Sequence, residues 1–293
     1  MSYVWQQQPG EEMEEEIDPA RRGSLRHTVL ERFVHQHIGE QLKADQWVDL
    51  RDELDGIFAN TWQELAARGM LYAGDFWEHD KESLRVLLLR WLRSEIAYSE
   101  AGEFRPWFTE REFGQRTTEQ LPLDIAGRRI FLNGKIDRVD KAGNTYYITD
   151  YKSGSIPSKA AFLDTDLQLP LYILAADRLL RERGKGTVIG GGYYGLKDGE
   201  RKENFLFASA QDTRLPWKTY SEIKDANGRK TAIGDISVLQ AKMAEVLADI
   251  LQNMQNGTFK PLPSGDCEAY CPAAKICRHR ILQSDQDGEE GHD

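Results

Sequence analysis

Apolar residues recur at helical spacing through the first hundred positions of the chain. Leu25, Val29 and Phe33 lie four residues apart, and Gly39 follows as a stop signal. A period near 3.6 residues is typical of an amphipathic helix, and glycine commonly follows the last turn. The same period predicts two further helices, over 45–68 and 79–99. The first part of the chain is therefore expected to be mainly helical.

Beyond residue 100 the pattern changes to alternating and aromatic runs, which are typical of strands. Turn residues at 140–144 separate two of these runs. Three runs predict an antiparallel meander, over 105–113, 130–139 and 145–152. Two helices and two strands are predicted after it, over 166–183, 187–196, 203–208 and 235–256. This succession predicts an α/β fold, in which helices flank a small mixed sheet.

The chain divides by composition into four parts. Residues 1–22 contain an acidic run and are expected to form a disordered tail, as is the polar segment 283–293. Between these tails we expect a helical part, 23–100, and an α/β core that ends in a cysteine-containing segment, 101–282.

Composition limits the class of protein. Of 293 residues, 40% are hydrophobic and 29% are charged, which supplies a core and excludes a wholly disordered chain. The formal net charge of −10 argues against coating nucleic acid by bulk charge, although it permits a local basic groove. No apolar run approaches the roughly 18 residues of a membrane span. The first residues do not resemble a secretory signal. We therefore expect a soluble, cytoplasmic protein with no membrane partner.

Two carboxylates and a lysine are predicted to share one face of the strand pair 130–152. The turn prediction places Asp137 across from Ile148 and diagonal to Asp150. Side chains alternate along a strand, so Lys152 points the same way as Asp150. A two-residue change of register keeps the three side chains together, whereas a one-residue slip separates them.

Such a set of side chains has a specific chemistry. Neighbouring carboxylates repel each other, and a divalent cation that prefers oxygen ligands, Mg²⁺ or Mn²⁺, relieves that repulsion. The cation lowers the pKa of bound water and neutralises a phosphate under attack, while a lysine stabilises the developing charge. These groups suit the hydrolysis of a phosphodiester. Taken alone, the Asp-x-Lys pattern is also typical of a surface ion pair without function.

Three motifs occur together in this order: Gly134–Arg138 (Gly-Lys-Ile-Asp-Arg), Asp150–Gly154 (Asp-Tyr-Lys-Ser-Gly) and Gln168–Tyr172 (Gln-Leu-Pro-Leu-Tyr). In order and spacing they resemble the signature of RecB-type nucleases in the PD-(D/E)XK superfamily, and most of all the AddB-like nuclease domains of bacterial helicase–nuclease complexes. The resemblance extends from about Gly23 to Arg280. It implies a restriction-endonuclease-like core, DNA as substrate, and a helicase as partner or fused domain.

The resemblance also implies roles for individual residues. Asp137 and Asp150 would bind the metal with the carbonyl of Tyr151, and Lys152 would be the catalytic lysine. His27, in a segment that resembles the Gly-x-x-x-His-x-x-Leu helix of the family, would complete the metal ligands. The alternative for His27 is a structural or exposed histidine.

Three further residues are expected to support the site or contact DNA. Glu112 matches the acidic residue of the first core strand, although a solvated strand carboxylate is an equal alternative. Gln168 and Tyr172 are four residues apart on a predicted helix and therefore share a face. For these two residues the alternative is an ordinary amphipathic helix.

Three cysteines fall within eleven residues near the end of the chain: Cys267, Cys271 and Cys277. Clustering in a cytosolic chain favours metal binding over a disulfide. By resemblance they would hold a [4Fe–4S] cluster, which normally needs four thiolates. The fourth family cysteine, upstream of the histidine helix, has no counterpart here. The chain is therefore either a fragment of a larger helicase–nuclease or a protein with an altered cluster, and a zinc site with His279 is the alternative.

We thus expect a metal-dependent deoxyribonuclease that cuts from DNA ends in recombinational repair. A non-catalytic DNA-binding or scaffold component of a helicase–nuclease complex is the second hypothesis. The complete set of Asp137, Asp150 and Lys152 argues against it, because a component without catalysis would be free to lose them. RNA as substrate stays open.

Overall fold

The computed structural model describes 19–71, 77–114, 121–125, 127–158, 161–163, 166–182, 186–210, 215, 221–224 and 228–258. The chain forms two compact units, and the larger spans Glu14–Ala248. Of the smaller unit, Met1–Met13 with Asp249–Asp293, the structure describes 249–258. Within the described residues, every helix is too short or too polar to cross a membrane.

Five helices lie close to their predicted positions: α1 (Pro19–Gln36), α2 (Trp47–Ala67), α3 (Glu78–Ala101), α4 (Gln168–Glu182) and α5 (Ile236–Gln255). Asp235 caps α5, because its carboxylate accepts hydrogen bonds from the backbone N–H groups of Ser237 and Val238. Short 3₁₀ turns occur at Ala44–Gln46 and Ala208–Ala210. The mainly helical first part is thus confirmed.

The strands are β1 (Arg105–Phe113), β2 (Leu121–Ile125), β3 (Arg128–Leu132), β4 (Gly134–Ala142), β5 (Thr145–Lys152), β6 (Thr187–Gly195), β7 (Glu200–Leu206), β8 (Glu222–Lys224) and β9 (Lys230–Ala232). Five of them form one sheet in the order β1-β4-β5-β6-β7. Within this sheet β5 and β6 pair in parallel, and α4 lies between them in the sequence. The predicted mixed sheet flanked by helices is confirmed.

Two strand predictions need correction. The single strand predicted over 130–139 is two strands, because β3 pairs with β2 in a separate hairpin and β4 pairs with β1 in the main sheet. The break falls at Asn133, and β4 starts at Gly134, where a Cβ would lie 2.7 Å from the ring of Phe113. The turn predicted over 140–144 is also narrower, since Ala142 pairs with Thr145.

The main sheet is covered on both faces. One apolar cluster joins α1, α2 and α3 with Tyr151 and Tyr194 of the sheet. A second joins α4 and α5 with the other face, through residues such as Ile148 and Ile173. At Gly191 a Cβ would lie 3.0 Å from Leu169 of α4, so glycine permits the close approach of helix and strand.

Buried charges connect the helical part to the sheet. Arg138 of β4 donates to Asp140 Oδ1 at 2.7 Å and to Glu95 Oε1 of α3 at 2.6 Å. Arg201 of β7 donates to the other oxygen of Glu95 at 2.9 Å. Burial alone would raise the pKa of Glu95, but the two guanidinium groups lower it overall. The carboxylate of Glu95 therefore stays ionised as the centre of this network.

Replacing Arg138 by methionine is expected to lower the free energy of unfolding by about 3–5 kcal/mol, because it leaves the buried carboxylates of Glu95 and Asp140 without their shared cation. The matched control is Arg129→Met, which removes an exposed ion pair with Asp124 and should cost less than about 1 kcal/mol. Urea unfolding of both variants checks the difference. Equal losses would show that the network contributes no more than a surface pair.

Candidate functional site

The pairing of β4 and β5 brings the two predicted carboxylates close together. Arg138 pairs with Thr149 at the end of this register, and Asp137 and Asp150 are the next residues of their strands. This register differs by two residues from the prediction, which paired Asp137 with Ile148, so the side-chain face is unchanged. Asp137 is anchored by the backbone N–H of Tyr151, which donates to its Oδ2 at 2.8 Å.

Gln168 connects the side chains on this face. Located at the start of α4, it accepts a hydrogen bond from Lys152 Nζ at 2.6 Å through its Oε1. Its Nε2 donates to Asp150 Oδ1 and to the hydroxyl of Tyr172, both at 3.2 Å. The ammonium of Lys152 also lies 5.4 Å from the ring centre of Tyr193. The amide therefore sets the position of the lysine relative to the carboxylate.

The negative charge of Asp150 is only partly offset by its neighbours. Its side chain is 2% exposed, and burial together with the negative charge of Asp137 raises its pKa to about 6. The ammonium of Lys152 lies 2.8 Å from Oδ2 and opposes this shift. Oδ2 is buried, and the Lys152 ammonium is in direct contact with it, but this contact only partly offsets the raised pKa of Asp150. An additional cation would satisfy this oxygen.

A second group of ligand atoms lies next to Asp137. Atoms of His27, Glu110 and Asp137 lie within 4.8 Å of one another, and His27 Nδ1 is 3.7 Å from Asp137 Oδ1. Ligands on opposite sides of Mg²⁺ are about 4 Å apart, so a single ion fits among these atoms after small adjustments. Asp150 is outside this group, although the charges of His27 and Asp137 both affect its pKa.

Glu110 was not predicted from the sequence, whereas the expected role of Glu112 in supporting the site or contacting DNA stays a prediction. The side chain of Glu112 is exposed, whereas that of Glu110 is 9% exposed and lines the cleft. The pairs Thr109–Arg138 and Arg111–Ile136 bracket Glu110, which brings it alongside Asp137. Alternation puts both glutamates on one side of β1, so the pattern could have identified Glu110 only if the register with β4 had been known.

A cleft of about 640 Å³ lies over these residues. Helix α1 forms one wall with Gly23, Ser24 and His27, and strands β1 and β4 supply Glu110 and Asp137. Tyr172 and Lys135 also line it. The cleft therefore joins the helical part, the sheet and α4 around a single group of acidic side chains.

Two predicted ligand groups stay predictions. The backbone carbonyl of Tyr151 stays a predicted metal ligand. The phenol of the same residue is buried and accepts a hydrogen bond from Arg138 at 3.1 Å. The cysteines of the predicted cluster, Cys267, Cys271 and Cys277, lie outside the described residues, as does His279.

Comparison with known proteins agrees with the resemblance drawn from the three motifs. A family model for the PD-(D/E)XK nuclease superfamily matches residues 1–278. Several curated relatives are named as one subunit of an ATP-dependent helicase/deoxyribonuclease. The protein of Moorella thermoacetica is 33% identical over 173 residues, which are 55% of this chain and 15% of that protein.

Two further relatives with the same name extend the comparison. The protein of Clostridium kluyveri is 31% identical over 195 residues, which are 60% of this chain and 16% of that protein. The protein of Clostridium perfringens is 24% identical over 312 residues, covering 87% of this chain and 26% of that protein. The chain thus spans between about a seventh and a quarter of the length of these relatives.

The unbalanced charge of Asp150 predicts a stability gain when it is removed. In chelator at pH 7.5, Asp150→Asn should unfold with a free energy roughly 1–3 kcal/mol higher than the unsubstituted protein. Because the pKa of Asp150 is raised by folding, the destabilising charge disappears as the pH falls through 6, and the gain should vanish below about pH 4.

Urea unfolding at several pH values measures this difference. Asp124→Asn serves as the control, because Asp124 is an exposed carboxylate whose pKa is lowered by its hydrogen bond from Arg129. A loss of stability in Asp150→Asn at pH 7.5 would contradict the prediction.

Proposed function

The chain belongs to the PD-(D/E)XK nuclease superfamily, and we propose that it is a divalent-metal-dependent deoxyribonuclease that hydrolyses phosphodiester bonds. The observation that carries the proposal is that strands β4 and β5 bring the carboxylates of Asp137 and Asp150 close enough to interact, with the Lys152 ammonium 2.8 Å from Asp150. The buried carboxylate of Asp150, whose pKa is raised by burial and by the charge of Asp137, supports it, because such shifts are common at functional sites.

Oxygen ligands and one imidazole suit Mg²⁺ or Mn²⁺. In this proposal Asp137 and Asp150 hold the ion, and His27 and Glu110 complete the protein ligands. When bound, the ion neutralises charge on the phosphate and makes a coordinated water more acidic. Asp137 is positioned for this task by the Tyr151 N–H, and Asp150 by the amide of Gln168.

Lys152 acts on the reacting phosphate. Its ammonium is held by Gln168 and Asp150, and its side chain is 21% exposed, which leaves room for the substrate to approach it. From this position it donates hydrogen bonds to the attacking water or to a non-bridging phosphate oxygen, where negative charge increases during the reaction. Tyr172, bound to the same amide, contacts the DNA strand.

The biological setting is also a proposal. The relatives are named as subunits of an ATP-dependent helicase/deoxyribonuclease, and this chain matches only part of each. We propose that it degrades strands from DNA ends that a helicase, as a partner or in the same polypeptide, has opened during recombinational repair. Cys267, Cys271 and Cys277 would hold an iron–sulfur cluster in this assembly.

Degradation of end-labelled linear DNA, single- and double-stranded, tests the activity in Mg²⁺, Mn²⁺ or chelator, with circular single strands as the test of end dependence. Lys152→Ala and Asp150→Asn are expected to lower the rate at least 100-fold, because each removes a group that stabilises the transition state. Lys141→Ala, which removes a lysine elsewhere on β4, should keep the rate.

Two outcomes would contradict this proposal. Cutting that persists in chelator or in Lys152→Ala would show that another site does the chemistry. DNA binding without cutting in any metal, by protein with intact secondary structure, would favour the non-catalytic DNA-binding component instead.

A further inference from the structure

Lys135 forms an ion pair with Glu110 inside the cleft. The two partners differ in exposure, because the Glu110 side chain is 9% exposed and that of Lys135 is 46% exposed. The motifs assign no role to this lysine, which is the second residue of β4 and lies two residues before Asp137.

Glu110 requires a nearby cation. Its carboxylate is almost buried and lies within 4.8 Å of ligand atoms of Asp137 and His27. A carboxylate removed from water beside another carboxylate is unfavourable unless a positive charge is in contact with it. The backbone of Glu110 has φ 52, a left-handed conformation that non-glycine residues adopt at a cost and that often marks a functional position. Lys135 supplies the charge that this carboxylate needs.

We propose that Lys135 is a place-holding cation that exchanges partners when the metal binds. In the metal-free protein its ammonium neutralises Glu110. When a divalent cation binds to His27, Glu110 and Asp137, the ammonium is released to the mouth of the cleft and binds a backbone phosphate of the DNA strand. This inference rests on the proposed nuclease function and adds a phosphate-binding residue to it.

The divalent ion and the Lys135 ammonium compete for the carboxylate of Glu110. A divalent ion that contacts both Glu110 and Asp137 is attracted more strongly than an ammonium that contacts Glu110 alone. Lysine has a long flexible stem and a strongly hydrated head, so a half-exposed lysine returns to water at little cost. A released ammonium in a cleft is also well suited to bind phosphate. Metal binding and DNA binding are therefore coupled through Lys135, and each strengthens the other.

The first experiment measures Mn²⁺ binding by calorimetry in the absence of DNA. Lys135→Met removes the competing charge, and it should bind Mn²⁺ roughly tenfold more tightly than the unsubstituted protein. Lys135→Arg keeps the charge and should restore the original affinity. The matched control is Lys141→Met on the same strand, whose ammonium lies 5.7 Å from the ring centres of Trp107 and Tyr146. This control should bind Mn²⁺ with unchanged affinity.

The second experiment measures binding of a single-stranded oligothymidylate at several salt concentrations. A Lys152→Ala background prevents turnover. With saturating Mn²⁺, log affinity falls as log salt rises. Adding Lys135→Met should make this fall less steep, reducing the magnitude of the slope by about 0.7, which corresponds to the loss of one phosphate contact. In chelator the slope should not change, because Lys135 is then occupied by Glu110.

The outcomes separate this inference from the function on which it rests. If the unsubstituted protein binds no Mn²⁺, the proposed metal-dependent nuclease is wrong and the inference falls with it. If the unsubstituted protein binds Mn²⁺ and Lys135→Met binds it equally well, the nuclease proposal stands and the place-holding role is overturned. Tighter Mn²⁺ binding without a change in the salt slope would overturn the phosphate-binding role alone.

Discussion

Asp137 and Asp150 lie close together on neighbouring antiparallel strands, and the repulsion between them is the constraint on which the site depends. Burial removes the water that would screen it, so the pKa of Asp150 rises. The side chains around the pair reduce this repulsion. Lys152 brings a positive charge, and Gln168 holds that charge beside Asp150 through two hydrogen bonds. A carboxylate with a raised pKa in a cleft is common at functional sites.

The opposite face of the same two strands carries a buried network of ion pairs. Arg138 follows Asp137 directly, and by alternation its guanidinium points away from the cleft into the buried network with Glu95 and Asp140. The phenol of Tyr151, the neighbour of Asp150, belongs to the same network. On the network face, ion pairs between opposite charges stabilise the two strands. On the cleft face, the two negatively charged carboxylates lie close together. The network on one face therefore keeps the carboxylates on the other face in place.

Much of the fold and part of the site were predictable because they depend on local patterns. Helical and strand periods identified the five helices and the strands β1, β5, β6 and β7 to within a few residues, since those periods reflect burial of one side of each element. The structure brings Asp137, Asp150, Lys152 and Gln168 together, as strand alternation and the family resemblance predicted. Asp137, Asp150 and Lys152 share a face of the strand pair despite the two-residue error in the predicted register, because side-chain direction repeats every two residues.

Tertiary structure alone decided what depends on distances between separate elements. The sequence determined which residue types each element presents, and hence the α/β class, the paired carboxylates and the lysine. It did not determine that Glu110 rather than Glu112 enters the cleft, because that choice depends on the register of β1 against β4 and on a left-handed backbone at Glu110. The pairing of Lys135 with Glu110 likewise required three-dimensional placement. Contacts between elements depend on how the chain packs, and a local pattern carries little information about packing.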